Sequence, residues 1–183
     1  MIVKGKTIPV RDMVQIALFA SVLCVVAPFS LPLGPIPLSL ATLAVYLAAG
    51  VLDWKYSAVS VALYIMLGAI GLPVFTNFEG GIHKIAGVTG GFIIGYIPCA
   101  LAIGLAARAF GEKRWSYVAG MVVGTVLLYT CGTVWFMFQT GNSVAVSLTL
   151  CVTPFLVGDT VKIIVSCIAA PKLRDALSHV SRK

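Results

Sequence analysis

Long, nearly uncharged stretches dominate this sequence and restrict its possible folds more than any other feature. A helix needs about 20 apolar residues to cross the hydrocarbon core of a bilayer. Only 10% of the 183 residues are charged, whereas a soluble domain carries roughly 25%. The sequence therefore predicts an all-α integral membrane bundle of six transmembrane helices, with residues 1–183 as one membrane domain. The predicted segments are 13–31, 38–52, 56–72, 88–110, 117–138 and 144–170.

The last of these segments is too long for one straight span. Thr153-Pro154 divides it, because threonine is a favourable N-cap and proline is favoured at the first helical position. We therefore expect a short outer segment at 144–152 and a helix that begins at Pro154. The predicted cytoplasmic end of this helix is marked by Pro171, Lys172 and Arg174.

The basic residues predict the orientation of the bundle. In the six-span arrangement nearly all of them fall on one side, and the opposite side carries only Lys84. Positive residues favour the cytoplasmic side, so both termini are predicted to be cytoplasmic. The same short clusters argue against nucleic acid as a partner, although the net charge is +7. The residues on the predicted cytoplasmic side are Lys4, Lys6, Arg11, Lys55, Arg108, Lys113, Arg114, Lys172, Arg174, Arg182 and Lys183.

Asp159 and Lys162 are charged residues inside an apolar segment. Each costs on the order of 2.5–3.5 kcal/mol at the centre of a bilayer, so such residues usually have a function. Three residues apart on a helix, they lie on one face. One interpretation is a pair that only orders the bundle, and the other is a pair that jointly holds a polar ligand. We favour the ligand, in a cavity open to the outside, because buried pairs are often no more stabilising than apolar replacements.

The predicted outer loop at 73–87 offers a further candidate. Asn77 has both donors and an acceptor, which suit an amide or urea edge, and Phe75 and Phe78 could cover an apolar ligand. Asparagine is also common in simple turns, which is the alternative.

Gly87, Gly91 and Gly95 form a smooth stripe on the next predicted helix. Close helix packing is the commoner meaning of such a stripe, but Gly90 and Gly91 could also present backbone groups to a ligand. The predicted substrate-binding residues are Asn77, Thr89, Gly90, Gly91, Tyr96, Asp159 and Lys162.

Ala17 and Ser21 form a small-x-x-x-small pattern that could dock another membrane protein, or could arise by chance in an alanine-rich helix. The rest of the sequence does not indicate a metal site or a catalytic site. The five cysteines form no C-x-x-C and are not near histidine at metal-ligand spacing. The sequence contains no Walker motif and no nucleophile beside a base. We therefore predict no metal, no cofactor and no enzymatic activity.

Four motifs resemble one known family. The sequence has Pro-Ile-Pro-Leu-Ser-Leu-Ala-Thr-Leu-Ala-Val at 35–45, Gly-Leu-Pro-Val-Phe at 71–75, Gly-Val-Thr-Gly-Gly-Phe at 87–92 and Pro-Phe-Leu-Val-Gly-Asp-Thr-Val-Lys at 154–162. Together, in this order, they resemble the BioY family, the biotin-binding S components of energy-coupling factor (ECF) transporters. The family usually has proline at Val88 and tyrosine at Phe92, and a glutamine is common at Ala41.

The resemblance implies a six-helix subunit of a prokaryotic cell membrane that captures biotin outside and delivers it inward. Its implied partners are a transmembrane T component and two cytoplasmic ABC-type ATPases. It also implies that Asn77 and Asp159 hold the ureido ring and that Lys162 meets the carboxylate. Ala17 and Ser21 match a surface that contacts the T component. The outer loops, especially residues 32–37, are expected to close over the ligand.

Three alternatives stay open at this point. The chain could be an S component for a different vitamin, or a stand-alone secondary transporter in which Asp159 carries a proton. A small membrane-bound enzyme is a third, and the lack of a nucleophile–base pair argues against it.

Overall fold

The computed structural model describes residues 9–31, 36–111 and 113–180, and these are mostly helical. The predictions on Lys4, Lys6, Arg182 and Lys183, and on residues 32–35 of the first connector, lie outside this part of the chain. The elements are α1 (Val10–Val26), β1 (Ser30–Leu31), β2 (Leu38–Ser39), α2 (Ala41–Val51), α3 (Trp54–Ala69), α4 (Ile82–Ala86), α5 (Gly90–Phe110), α6 (Arg114–Thr140), α7 (Val144–Cys151) and α8 (Phe155–Val180). A 3₁₀ turn covers Thr76–Phe78.

The helices agree with the predicted membrane class, although their lengths differ. By length and composition, α5 and α6 can each cross a membrane, and the bent pair α7 and α8 counts as a third candidate within the described residues. Helix α2 has 11 residues, or about 16 Å at 1.5 Å per residue. It is shorter than the hydrocarbon core of about 30 Å. The number of complete spans therefore stays a prediction.

The first predicted segment, 13–31, ends earlier than expected as a helix. Helix α1 stops at Val26 because Pro28 has no N–H to donate to the preceding turn. The chain then forms β1, which pairs antiparallel with β2 in the register Ser30↔Ser39 and Leu31↔Leu38. The second predicted segment accordingly starts as a strand, and its helix begins only at Ala41.

The predicted break in the last segment is confirmed. Helix α7 ends at Cys151, α8 begins at Phe155, and the two are bent by 45°. The predicted helix end at Pro171 is wrong, because α8 continues through this proline to Val180. An internal proline is tolerated in membrane helices when neighbouring groups satisfy the backbone. Beyond it, Arg174 Nη2 donates to Gly50 O at 2.9 Å, which holds the last turns against α2.

Helix α2 lies at the centre of the bundle and positions the site. Eight of its eleven residues are buried, and most of these are small, so α5 and α8 can pack closely against it. Its first turn faces α8 at Lys162, whose ammonium bonds Ser39 just before the helix. Its last turn faces α8 at Arg174. The two helices therefore run parallel, with a charged hydrogen bond near each end.

Candidate functional site

Asp159 and Lys162 are both buried and point into the bundle. Their side-chain carboxylate and ammonium groups are 2.8 Å apart, and the residues are 3% and 7% exposed. Lys162 reaches back toward the start of α8, because side chains on a helix tilt toward its N-terminus. The pair thus faces protein, and not lipid, as a functional intramembrane pair is expected to do.

Three neighbours complete the hydrogen bonding of the pair. Lys162 Nζ donates to Ser39 O and Thr42 Oγ1, both at 2.7 Å, in addition to Asp159. Tyr129 OH donates to Asp159 Oδ2 at 2.7 Å, and Thr42 Oγ1 donates to Asp159 Oδ1 at 3.2 Å. An ammonium has three donors, so every donor of Lys162 has an acceptor. The start of α2 and the middle of α6 therefore fix both charges.

A cavity of about 40 Å³ adjoins these groups, between α2, α5, α6 and α8. Thr89 and Tyr96 of the predicted set line it together with Asp159 and Lys162. Its apolar wall includes Phe92 and Phe155, whose ring centroids are 6.4 Å apart. The cavity thus combines one cation, one carboxylate, several hydroxyls and aromatic rings, which suits a small amphipathic ligand.

A larger apolar groove lies on the other side of Asp159, between α6 and the α7–α8 pair. Its volume is about 730 Å³, and Asp159 and Tyr129 form part of its wall as well. Most of its lining is aliphatic, and the hydroxyls of Thr125, Thr130 and Thr160 donate to carbonyls of their own helices. The groove offers less polar recognition than the small cavity because its lining is mostly aliphatic and, among the described residues, does not include the Lys162 ammonium. We place the candidate site in the small cavity.

Asn77 lies apart from this cavity. It is exposed and adopts a left-handed conformation with φ 64° in the turn after α3. Its Oδ1 accepts from Ser30 Oγ at 2.7 Å, and its backbone N–H donates to Pro28 O. The neighbouring Thr76 reaches the cavity wall instead. In this arrangement Asn77 forms a turn that ties the loop to β1, and its contact with a ligand stays a prediction.

Phe75 and Phe78, which we expected to cover an apolar ligand, also lie apart from the cavity. Phe75 is buried against Tyr64, with ring centroids 5.6 Å apart, and Phe78 is exposed beside Phe29. Among the described residues, Phe92 and Phe155 take the position against the cavity that we expected for this pair.

Gly90 and Gly91 serve close helix packing in this structure. A Cβ at Gly91 would lie 2.3 Å from Trp135 Cβ and 2.6 Å from Cys131 O on α6. A Cβ at Gly90 would lie 1.7 Å from Ile85 O. Neither glycine is among the described residues that line the cavity. The packing alternative therefore accounts for both positions, and the expected exposure of their backbone to a ligand is not seen.

Ala17 and Ser21 are exposed on one face of α1. Ser21 Oγ donates to Ala17 O at 2.8 Å, so the hydroxyl is bonded within its own helix. The face is therefore smooth and carries little unsatisfied polarity, as the predicted docking role requires.

Ser39, Thr42 and Tyr129 are site residues that sequence reasoning missed. The available signals were a hydroxyl in the motif at 35–45 and a tyrosine in the middle of an apolar segment. Ser39 contributes its backbone carbonyl, and every residue has one, so the residue type at position 39 could not predict this contact.

Side chains that could ligate a metal ion are not clustered in the part of the chain that the structure describes. No group of three His, Cys, Asp or Glu could hold one within residues 9–31, 36–111 and 113–180. The five cysteines are free thiols.

Comparison with known proteins decides the family. A sequence model described as the BioY family matches residues 3–179. The chain belongs to the BioY family. The predicted family is thus confirmed. The predicted localisation, as a multi-pass protein of the prokaryotic plasma membrane, is confirmed with it.

Individual relatives support the same assignment across most of the chain. The biotin transporter BioY of Thermotoga maritima is 36% identical over 164 residues, covering 90% of this chain and 96% of that protein. The biotin transporter BioY2 of Lactococcus lactis subsp. cremoris is 35% identical over 167 residues, covering 91% and 92%. A 2.1 Å crystal structure of the S-component for biotin from an ECF-type ABC transporter matches with a TM-score of 0.85 at 25% identity, covering 91% of this chain and 92% of that chain.

Proposed function

We propose that this chain is a BioY-family S component that binds biotin and delivers it across the membrane with an ATP-driven ECF module. The observation that carries this proposal is the buried Asp159–Lys162 pair on the wall of a cavity lined by hydroxyls and aromatic rings. The names of the relatives and the matching crystal structure support the choice of ligand. The chain is a binding subunit and not an enzyme.

The chemistry of biotin suits the groups at the cavity. Biotin has a ureido edge with two N–H donors, an apolar bicyclic body and a carboxylate tail. Lys162 supplies an ammonium for the carboxylate, and Asp159 supplies acceptors for the ureido N–H groups. Phe92 and Phe155 provide an apolar surface for the ring system. Charge-assisted hydrogen bonds of this kind are about twice as strong as neutral ones.

Binding requires the cavity to enlarge. Its volume of about 40 Å³ is far below the roughly 300 Å³ of small-molecule sites. The ligand carboxylate can take the place of Ser39 O as an acceptor for Lys162. A ureido N–H can take the place of a hydroxyl as a donor to Asp159, so the two charged residues keep their number of hydrogen bonds. Releasing Ser39 loosens β2 and the start of α2, which cover the cavity on its outer side. Outward movement of residues 36–39 then admits the ligand.

The topology we propose has six spans with both termini cytoplasmic. The distribution of basic residues supports it. Helix α2 is too short to span alone, but β2 and residues 36–37 extend its path toward the outer side. In this orientation the Asp159–Lys162 cavity lies in the outer half of the membrane.

The proposed partners are a transmembrane T component and two cytoplasmic ABC-type ATPases, and α1 is the proposed contact. Replacing Ser21 with leucine should reduce co-purification of the T component by about tenfold, because a bulky side chain prevents close helix approach. Pull-down of the ECF module from co-expressing cells measures this. Biotin affinity should stay unchanged. Val123→Leu, on an exposed position of α6, is the matched control; an equal loss in both variants would remove α1 as the specific contact.

Titration of the detergent-purified protein tests the ligand. Isothermal titration calorimetry should show saturable binding of one biotin per chain and no heat with thiamin or riboflavin. Binding of another vitamin without biotin would identify an S component of different specificity. Uptake driven by a proton gradient in vesicles without ATP or partners would instead support a secondary transporter.

A further inference from the structure

A second cavity lies at the opposite end of the bundle, where α2 and α6 meet α8. Its volume is about 210 Å³, and it is lined by polar and apolar groups in similar measure. Ser166 on α8 lies about 6 Å along the helix axis from Lys162, and Arg174 lies about 18 Å away, at 1.5 Å per residue. The cavity is therefore separate from the biotin site, and nothing in the proposed binding reaction uses it.

Two guanidinium groups give this cavity a positive balance. Arg174 is held in place by its bond to Gly50 O at 2.9 Å and by stacking over the Tyr117 ring at 5.2 Å. Arg114 lies at the start of α6 and also lines the cavity. Among the described residues that line the cavity, Asp175 is the acidic one, so this part of the lining carries two positive charges and one negative charge. Arginine is the residue best suited to bind phosphate oxygens through paired N–H groups.

Ser166 gives an independent sign of a ligand. It is 0% exposed and lines the cavity, and its hydroxyl has no hydrogen-bond partner among the described residues. A buried hydroxyl without a partner costs free energy, and such groups in proteins call for an explanation. An oxygen of a bound phosphate group would accept from this hydroxyl.

We propose that this cavity binds the phosphate group of an anionic membrane phospholipid. Basic pockets between transmembrane helices on the cytoplasmic side are suited to lipid head groups, and the topology proposed above places this end of the bundle there. Arg114 and Arg174 contact the phosphate, Ser166 donates to it, and Met121 and Ala170 adjoin the apolar part of the lipid. Free inorganic phosphate offers the same charged group without the acyl chains.

Native mass spectrometry of the full chain in detergent, titrated with phosphatidylglycerol, tests this site. Arg114→Gln should weaken lipid binding by about fivefold, since each basic residue near a lipid surface contributes a factor of this size. Ser166→Ala should weaken it by about threefold, from the loss of one hydrogen bond. Lys113→Gln removes a charge from the exposed neighbouring position, which does not line the cavity, and should leave binding unchanged. An equal loss in Lys113→Gln and Arg114→Gln would show diffuse attraction and overturn the site.

A second measurement distinguishes a bound lipid from bound inorganic phosphate. Phosphatidylglycerol should raise the melting temperature of the wild-type chain more than that of Arg114→Gln at the same lipid concentration, whereas millimolar inorganic phosphate should raise neither. Displacement of the lipid by phosphate at that concentration would overturn the lipid assignment. Biotin affinity should be the same in wild type and in all three variants, which shows that they fold and keeps this test independent of the biotin proposal.

Discussion

Lys162→Ala should weaken biotin binding by about two to three orders of magnitude, and should weaken binding of biotin amide much less. Truncating one partner of a buried, hydrogen-bonded charge pair costs about 2–5 kcal/mol. The full loss falls on a ligand whose carboxylate contacts the ammonium, and the amide lacks that charge. Calorimetric titration of both ligands with wild type and variant gives the two ratios. Equal losses for biotin and its amide would remove the carboxylate role of Lys162.

Two controls separate binding from folding in this experiment. Lys162→Ala leaves Asp159 buried without its cation, which should lower the free energy of unfolding by about 3–5 kcal/mol. The double variant Lys162→Met with Asp159→Asn removes both charges, so it should recover stability and still not bind biotin. Lys84→Ala removes a lysine of α4 that pairs with Glu79 at 2.9 Å, and should leave affinity unchanged.

Asp159→Asn should weaken biotin and biotin amide equally, by about a hundredfold. The variant loses a charged acceptor for the ureido N–H groups, which both ligands share, and a hydrogen bond to a charged group contributes about 1.5–3 kcal/mol. The same titrations measure this loss. If Asp159→Asn bound biotin as tightly as wild type, Asp159 would have only a structural role.

Graded variants around Asp159 refine this second prediction. Tyr129→Phe removes the hydroxyl that donates to Asp159 Oδ2, and an intermediate loss of about tenfold is expected because the carboxylate is less firmly held. Tyr46→Phe is a matched control, since its buried hydroxyl bonds Thr125 and not Asp159. Asp53→Asn changes the carboxylate that accepts from Lys55 N at the start of α3 and should leave binding intact.

The centre of the site could be predicted because burying charge in a membrane is costly wherever it occurs. Asp159 and Lys162 are conspicuous in an apolar segment without any knowledge of their neighbours. The break before α8 was similarly local, since it depends on Pro154 and the residues beside it. The continuation of α8 past Pro171 could not be inferred locally, because Gly50, far away in sequence, accepts the hydrogen bond from Arg174.

The remaining site geometry depends on contacts distant in sequence. Ser39 reaches the pair from β2 and Tyr129 from α6, 123 and 30 residues away from their respective partners. The orientation of Gly91 toward Trp135 depends on how α5 rotates against α6. A local sequence pattern gives neither the contacts between distant residues nor the rotation of one helix against another. Motifs therefore identified the segments of the site, whereas packing determined which of their residues face the cavity.

The hydrogen bonds from α8 to Ser39, just before α2, and to Gly50, in the last turn of α2, respond differently when a ligand arrives. The one at Ser39 competes with the incoming carboxylate, whereas the one from Arg174 to Gly50 does not. The start of α2 would then be hydrogen-bonded to α8 only through Thr42 among the described contacts, while its last turn stays anchored at Gly50, so the start of the helix could pivot about Gly50. A pivot of this kind would convert the exchange of one hydrogen bond into a larger displacement at the start of α2, and would leave the part of the protein around Gly50 and Arg174 in place.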